Sequence, residues 1–250
     1  MNGTDKYAII VAGGKGLRMG GDIPKQFMLL AERPVLMHTI QAFYDYDPNI
    51  RIILVLPREQ KKYWENLCAE HSFSIPHQTV SGGETRFHSV KNALFLINGE
   101  WLTGHNLPST LHLSPRTFHR VPLIGIHDGV RPLVDKELIG KVYAQADSDG
   151  VACPAIPVTD SMRKMTDIRT TIPADRSKYF LVQTPQVFKA DILFEAYRQD
   201  YDLRFTDDVS VVEALGIYRP AMVEGSRENI KITTPTDLII AQSLIKSHHS

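Results

Sequence analysis

Cysteine is scarce: Cys68 and Cys153 are the only two in 250 residues, and they form no CxxC pair. That excludes a disulfide framework and a thiolate metal cluster, and it fits a reducing compartment, so a cytoplasmic protein is expected. Net charge is absent too, with 28 basic residues against 28 acidic ones. A chain so balanced has no long-range field to draw bulk nucleic acid or an anionic membrane, and neither is expected as a partner. A local anion pocket is still allowed. No hydrophobic run approaches the ~20 residues that span a bilayer. The first such run, Tyr7–Ala12, is short and lacks the flanks of a secretory signal. The ten histidines make no HxH or HExxH pair, and GxSxG is missing. A transition-metal site and a serine hydrolase therefore have no footing.

What is present is a rhythm of strands and helices. Near-continuous apolar runs at Tyr7–Ala12, Arg51–Leu56, Pro122–His127, Val151–Ile156 and Tyr218–Val223 read as strands buried on both faces. Between them, Val35–Tyr44 and Glu84–Ile97 place apolar residues at helical spacing, and Arg58–His71 reads as a polar, solvent-facing helix. The alternation predicts right-handed βαβ units in an α/β, doubly wound and mostly parallel sheet, with residues 1–250 as one domain. Two stretches break the rhythm. Asn98–Arg120 is rich in Gly, Asn, Pro and Ser and reads as a long surface loop; the polar residues 157–180 read as a protruding β-arm, able to pack on a second subunit.

Chemistry concentrates after the first strand. The run from Ala12 through Gly13, Gly14, Gly16 and Arg18 to Gly21 holds five glycines within nine residues, and Lys25 follows. Such a turn lets successive amides converge on an anion, and Arg18 and Lys25 add a guanidinium fork and an ammonium point charge. A nucleoside triphosphate matches this set. A Walker loop is excluded because Gly16, not Ser or Thr, follows Lys15, and the GxGxxG spacing of a dinucleotide loop also fails. Further on, Gly82-Gly83-Glu84-Thr85-Arg86 with Ser89 opens a helix whose free amides suit phosphate or base recognition. Asp128, in His127-Asp128-Gly129-Val130-Arg131-Pro132, stands at a strand end as a candidate Mg2+ ligand or acceptor contact, or as half of a structural ion pair with Arg131. Asp160-Ser161, Asp175-Arg176, Gln183-Thr184-Pro185-Gln186, Thr206-Asp207-Asp208 and Glu224-Gly225 leading to Lys231 are weaker marks taken singly. Thr206 reads as a helix N-cap ahead of Asp207 and Asp208.

Taken in order and spacing, AGGKGLRMG with PKQ, GGETRFHSV, HDGVRP, QTPQVF, TDD, and VEG with NIKITTPTDL resemble the 2-C-methyl-D-erythritol 4-phosphate cytidylyltransferases of the non-mevalonate isoprenoid pathway. The resemblance covers nearly the whole chain. It implies a Rossmann-like nucleotidyltransferase fold, a homodimer, Mg2+ dependence, CTP as co-substrate and pyrophosphate release. By motif position it implies that Ala12, Gly13, Gly14, Gly16, Arg18 and Lys25 hold the CTP phosphates, with Arg18 and Lys25 catalytic. Gly83, Glu84, Arg86 and Ser89 would read cytosine and ribose. Asp128, Arg131, Ser161, Arg176, Thr206 and Lys231 would bind the acceptor; Lys231 would also border the nucleotide, and Arg176 would serve the partner's site through the arm. The AGG and HDGVRP variants are similar to the ribitol-5-phosphate cytidylyltransferases, which leaves that acceptor as an alternative. A non-catalytic nucleotide-binding protein is the alternative of another class.

Overall fold

The computed structural model describes residues 4–13, 23–103 and 121–248. The glycine run's Gly14, Gly16 and Arg18, and most of the long stretch before Arg120, lie outside them. In chain order the elements are β1 (Lys6–Val11), β2 (Leu29–Leu30), β3 (Arg33–Pro34), α1 (Val35–Tyr46), β4 (Arg51–Leu56), α2 (Lys61–Glu70), β5 (Gln78–Ser81) and α3 (Arg86–Thr103). There follow β6 (Leu123–Asp128), α4 (Lys136–Asp149), β7 (Val151–Pro157), β8 (Met162–Asp167), β9 (Thr170–Ala174), β10 (Phe180–Val182) and β11 (Gln186–Lys189). The last are α5 (Ala190–Ala196), α6 (Asp208–Glu213), β12 (Ala221–Glu224) and α7 (Pro235–His248).

One eight-stranded sheet runs β10-β7-β11-β6-β1-β4-β5, with β12 on the other edge of β7. Its centre shows why the strands are apolar throughout. Along β1, Tyr7 and Ile9 pack with α3, α5 and α6, whereas Ala8 and Ile10 pack with α1, α2 and α4. Alternate side chains thus enter two separate cores, and neither face of the strand tolerates a charge. Strand β1 pairs in parallel with both β4 and β6, and β4 in parallel with β5. The expected parallel neighbour of β6 is displaced: β11 sits antiparallel between β6 and β7. Strands β5, β10 and β11 are short, and β5 is half-polar, so no long apolar run announces them.

Two further expectations need correction. The segment 58–71 is not a solvent-facing helix; after a 3-10 turn, α2 buries Trp64 and Leu67 at 1% and 8% exposure. The stretch 98–120 begins as helix, because α3 continues to Thr103. The arm forms as expected: β8 and β9 make their own antiparallel hairpin, exposed along most of its length.

Tyr143 on α4 pins the sheet's middle by donating its hydroxyl to the Tyr7 carbonyl at 2.6 Å. Gly125 in β6 makes room for it, since a Cβ there would lie 2.4 Å from the Tyr143 oxygen. Gly125→Ala is expected to destabilise the fold by about 1–3 kcal/mol through this clash, a shift of roughly 2–4 °C per kcal/mol in thermal melting. An unchanged melting temperature would contradict it.

Candidate active site

In an open α/β sheet, ligands bind beyond the carboxyl ends of the strands, where neighbouring connections leave in opposite directions. Here that point lies between β1 and β6, because the chain leaves β1 toward β4 and comes back to β6 on the other side. The strand ends are tied together there: the Ala12 amide donates to the Val55 carbonyl and the Gly129 amide to the Val11 carbonyl, both at 2.9 Å. A cleft of about 290 Å³ opens above them. Its walls bring together Ala12, Gly13, Lys25, Gly83, Glu84, Arg86, Ser89, Asp128 and Lys231 from five separate segments.

Each wall has a local cause. Lys25 begins a 3-10 turn whose next residues, Gln26 and Phe27, are buried at 1% and 3% exposure. Gln26 also donates to the Ala12 carbonyl at 3.0 Å, so the lysine turn and the glycine run share an anchor. On the opposite wall the Gly83 amide donates to Ser89 Oγ at 3.1 Å, folding the loop back on the start of α3. Only glycine fits at 83, where a Cβ would lie 2.5 Å from that of His88.

The charged centre is Asp128. Lys231 Nζ lies 2.9 Å and Arg131 Nε 3.4 Å from its Oδ2, and Arg86 Nη2 lies 3.5 Å from its Oδ1. Burial would raise the pKa of this carboxyl, but Arg86, Lys231 and Arg131 outweigh it and hold it well below the ordinary carboxylate range. Three cations around one carboxylate leave a net positive cluster, an anion site already facing the cleft. The same arrangement does not fit a divalent metal at Asp128. Both oxygens are committed to cations, and no group of three or more His, Cys, Asp or Glu side chains suited to a metal occurs among the described residues.

His127 beside it is fully buried, and burial pushes its imidazole down to about 4, so it is neutral at neutral pH. Thr184 Oγ1 accepts from the Asp128 amide at 3.1 Å, which leaves its hydrogen for His127 Nδ1 at 3.0 Å. The imidazole proton is thereby assigned to Nε2, which donates to the Arg131 carbonyl at 3.1 Å.

Arg86 reaches a second carboxylate. Its Nη1 lies 2.7 Å from Asp208, which is 1% exposed and also accepts from the Tyr197 hydroxyl at 2.7 Å. Burial works against the charge on Arg86, yet Asp208 and Asp128 overcome it and raise its pKa. The N-cap of α6 is Asp207 rather than the expected Thr206: Asp207 accepts from the Ser210 amide at 2.9 Å, and Ser210 Oγ answers at the Asp207 amide. Thr206 is exposed and borders a small recess beside Arg86 and Asp208 instead of the cleft. Ser161 and Arg176 are on the exposed arm, away from this chain's cleft, and Arg176 donates to the Thr159 carbonyl.

Sequence reasoning marked the segments that brace the site but gave their polar residues no role. Gln186 Oε1 accepts from the amides of Asp208 and Val209 at 3.0 and 2.9 Å, and its Nε2 donates to Asp207 at 2.8 Å. Gln183, Thr184 and Asn229 are likewise buried. The QTPQ motif was the signal: each of its polar side chains grips a different piece of the site.

The end of the first strand, a lysine turn, a helix opening and a cationic cluster converging at one switch point describe a nucleotidyltransferase, an enzyme that moves a nucleotidyl group between two anionic substrates. Sequence comparison gives the family. The model of the 2-C-methyl-D-erythritol 4-phosphate cytidylyltransferase family matches residues 7–106 and 117–247. A protein of that name from Azobacteroides pseudotrichonymphae is 50% identical over 96% of this chain and 98% of its own length. Another, from Bacteroides fragilis, is 48% identical over 96% of this chain and 99% of its own. The crystal structure of the Thermus thermophilus protein of that name superposes with a TM-score of 0.70 at 29% identity, covering 97% of this chain and 99% of that one. The chain belongs to the 2-C-methyl-D-erythritol 4-phosphate cytidylyltransferase family.

Proposed function

We propose that this protein transfers CMP from CTP to 2-C-methyl-D-erythritol 4-phosphate, a step of isoprenoid biosynthesis, releasing pyrophosphate and 4-diphosphocytidyl-2-C-methyl-D-erythritol. An oxygen of the acceptor's phosphate attacks the α-phosphorus of CTP, and the bond from that phosphorus to the pyrophosphate oxygen breaks. A phosphate dianion is already nucleophilic, so the protein's task is positioning and charge neutralisation. The observation that carries the reading is the positive cluster of Lys231, Arg131 and Arg86 on Asp128, of which Lys231, Arg86 and Asp128 line the same cleft as Gly13, Lys25 and Gly83. Lys25 and Arg18 face the polyphosphate, Gly83, Glu84, Arg86 and Ser89 face the nucleoside, and Arg131 and Lys231 take the acceptor. Mg2+ would enter with the CTP substrate and would supply further charge neutralisation at its polyphosphate. No helix among the described residues is long and apolar enough to cross a membrane. The reaction belongs in the cytoplasm, where both substrates are soluble. Incubation with CTP, Mg2+ and either methylerythritol phosphate or ribitol 5-phosphate tests the reading: pyrophosphate release with the first is expected, and release only with the second would overturn it.

The acting unit is a homodimer in which the arm of one subunit completes the site of the other. Met165, Ile168 and Ile172 are 69%, 87% and 50% exposed on the hairpin, and Leu181 beside it is 55% exposed, an apolar surface that a partner would cover. Ser161 and Arg176 travel with that arm. Arg176→Ala is therefore expected to raise the acceptor KM by roughly tenfold or more, the loss of a charge-assisted hydrogen bond, with CTP affinity nearly unchanged. An acceptor KM equal to that of the parent protein would remove Arg176 from the site.

A further inference from the structure

Four hydrogen bonds close a ring beside the acceptor side of the cleft. The Asp128 amide donates to Thr184 Oγ1 at 3.1 Å. The Thr184 carbonyl accepts from Asn229 Nδ2 at 2.9 Å. The Asn229 carbonyl accepts from Arg131 Nη1 at 2.7 Å, and Arg131 Nε returns to Asp128 Oδ2 at 3.4 Å. Asn229 is fully buried and absent from the cleft lining, so it belongs to the ring without meeting a ligand.

The segment that carries Asn229 needs such a tie. It is anchored at one end by the Gly225 amide on the Ala155 carbonyl and at the other by the Ile232 amide on the Val130 carbonyl, each at 2.9 Å. Between those anchors the backbone is turn and coil, so side-chain bonds rather than a strand ladder hold its course. Gln183 supplies a second tie: its Nε2 donates to the Ser226 carbonyl at 2.7 Å and its Oε1 accepts from the Ser226 amide at 3.2 Å. A Cβ at Gly225 would fall 2.5 Å from that Oε1, so this grip requires glycine there. Lys231 stands two residues beyond Asn229 and inherits its placement.

We propose that Asn229 is a positioning residue for the acceptor: by closing the ring it aims Arg131 and, through the short segment after it, Lys231, with Gln183 as the brace. The inference rests on the reading that Arg131 and Lys231 take the acceptor. The physical reason is preorganisation. A lysine and an arginine held in place before the anion arrives lose little freedom on binding, whereas the same groups on a loosened loop must be ordered by the ligand. Asp128 stays paired in either case, and the nucleotide wall, built on β1, β5 and α3, meets the ring through the Arg86–Asp128 ion pair, which none of the ring's bonds through Asn229 forms.

The test is steady-state kinetics with both substrates varied, on Asn229→Ala, Gln183→Leu and Lys231→Met, each shown to be folded by circular dichroism and thermal melting. Asn229→Ala is expected to raise the acceptor KM roughly ten- to a hundredfold while the CTP KM stays within about twofold. Gln183→Leu, which keeps the ring and removes the brace, is expected to raise the acceptor KM by a smaller factor, and it carries the test alone should Asn229→Ala fail to fold. A merely structural role would lower the melting temperature without separating the two KM values. If Lys231→Met raises the acceptor KM and the amide variants do not, or if they raise both KM values together, the inference is overturned. If Lys231→Met leaves the acceptor KM untouched, the acceptor reading itself is wrong, and this inference falls with it.

Discussion

Replacing Lys25 by alanine should lower turnover by roughly 10²–10³ with the fold intact, the usual loss when one preorganised charge-stabilising group is removed. The fold should survive because the turn is anchored by its neighbours: Gln26 and Phe27 are buried, and Gln26 bonds the Ala12 carbonyl. Lys25 itself lines the same cleft as Arg86 and Lys231, and in the proposed reaction its positive charge meets the charge that builds on the pyrophosphate as it leaves. Deleting it removes an interaction that strengthens in the transition state, and kcat should fall more than CTP affinity. Turnover and thermal melting measured side by side decide the matter. Turnover like that of the parent protein in a folded variant would take Lys25 out of the catalytic role. The same loss is expected for Arg18→Ala on the strength of its motif position.

The largest effect on stability is expected from Asp208→Asn, at about 2–3 kcal/mol, because breaking a buried ion pair strands the remaining charge. Arg86 keeps its contact with Asp128 and its side chain is 30% exposed, which places the loss toward the low end of that range of effects. For a chain of this size the change corresponds to a melting shift of roughly 5–10 °C. The double variant Asp208→Asn with Arg86→Met separates pairing from simple packing. It should recover part of the stability, since no unpaired charge is left, yet stay catalytically poor because the nucleoside wall has lost its guanidinium. If Asp208→Asn melts with the parent protein, the ion pair contributes nothing to the fold.

The stretches read correctly in the sequence are those whose signal is local. The strands at 51–56 and 151–157 stand where their apolar runs stand, because a strand covered on both faces must be apolar at every position. The residues that line the wall of the cleft proposed to meet the nucleotide were legible for a similar reason: glycines, a helix opening and cations lie close together in the sequence. Short strands such as Gln78–Ser81 carry too few apolar residues to register. Trp64 was misassigned because the polar residues around it hide a side chain that packs on Phe27 and Phe73 from elsewhere in the chain. Asp208 looked like a helix-cap neighbour, since the arginine that neutralises it is 122 positions away.

By its residues alone, then, this protein determined its class of fold, its family motifs and the glycine-rich loop proposed to meet CTP, because periodicity, glycine freedom and local charge act over a turn or a strand's length. The tertiary structure alone decided which charges pair, that Asp128 holds three cations, that His127 is neutral, and that Ser161 and Arg176 stand away from this chain's cleft. Those outcomes depend on burial and on partners far apart in the chain. Electrostatic energy is set by distance and dielectric in space, and neither is written in the spacing of residues along the sequence.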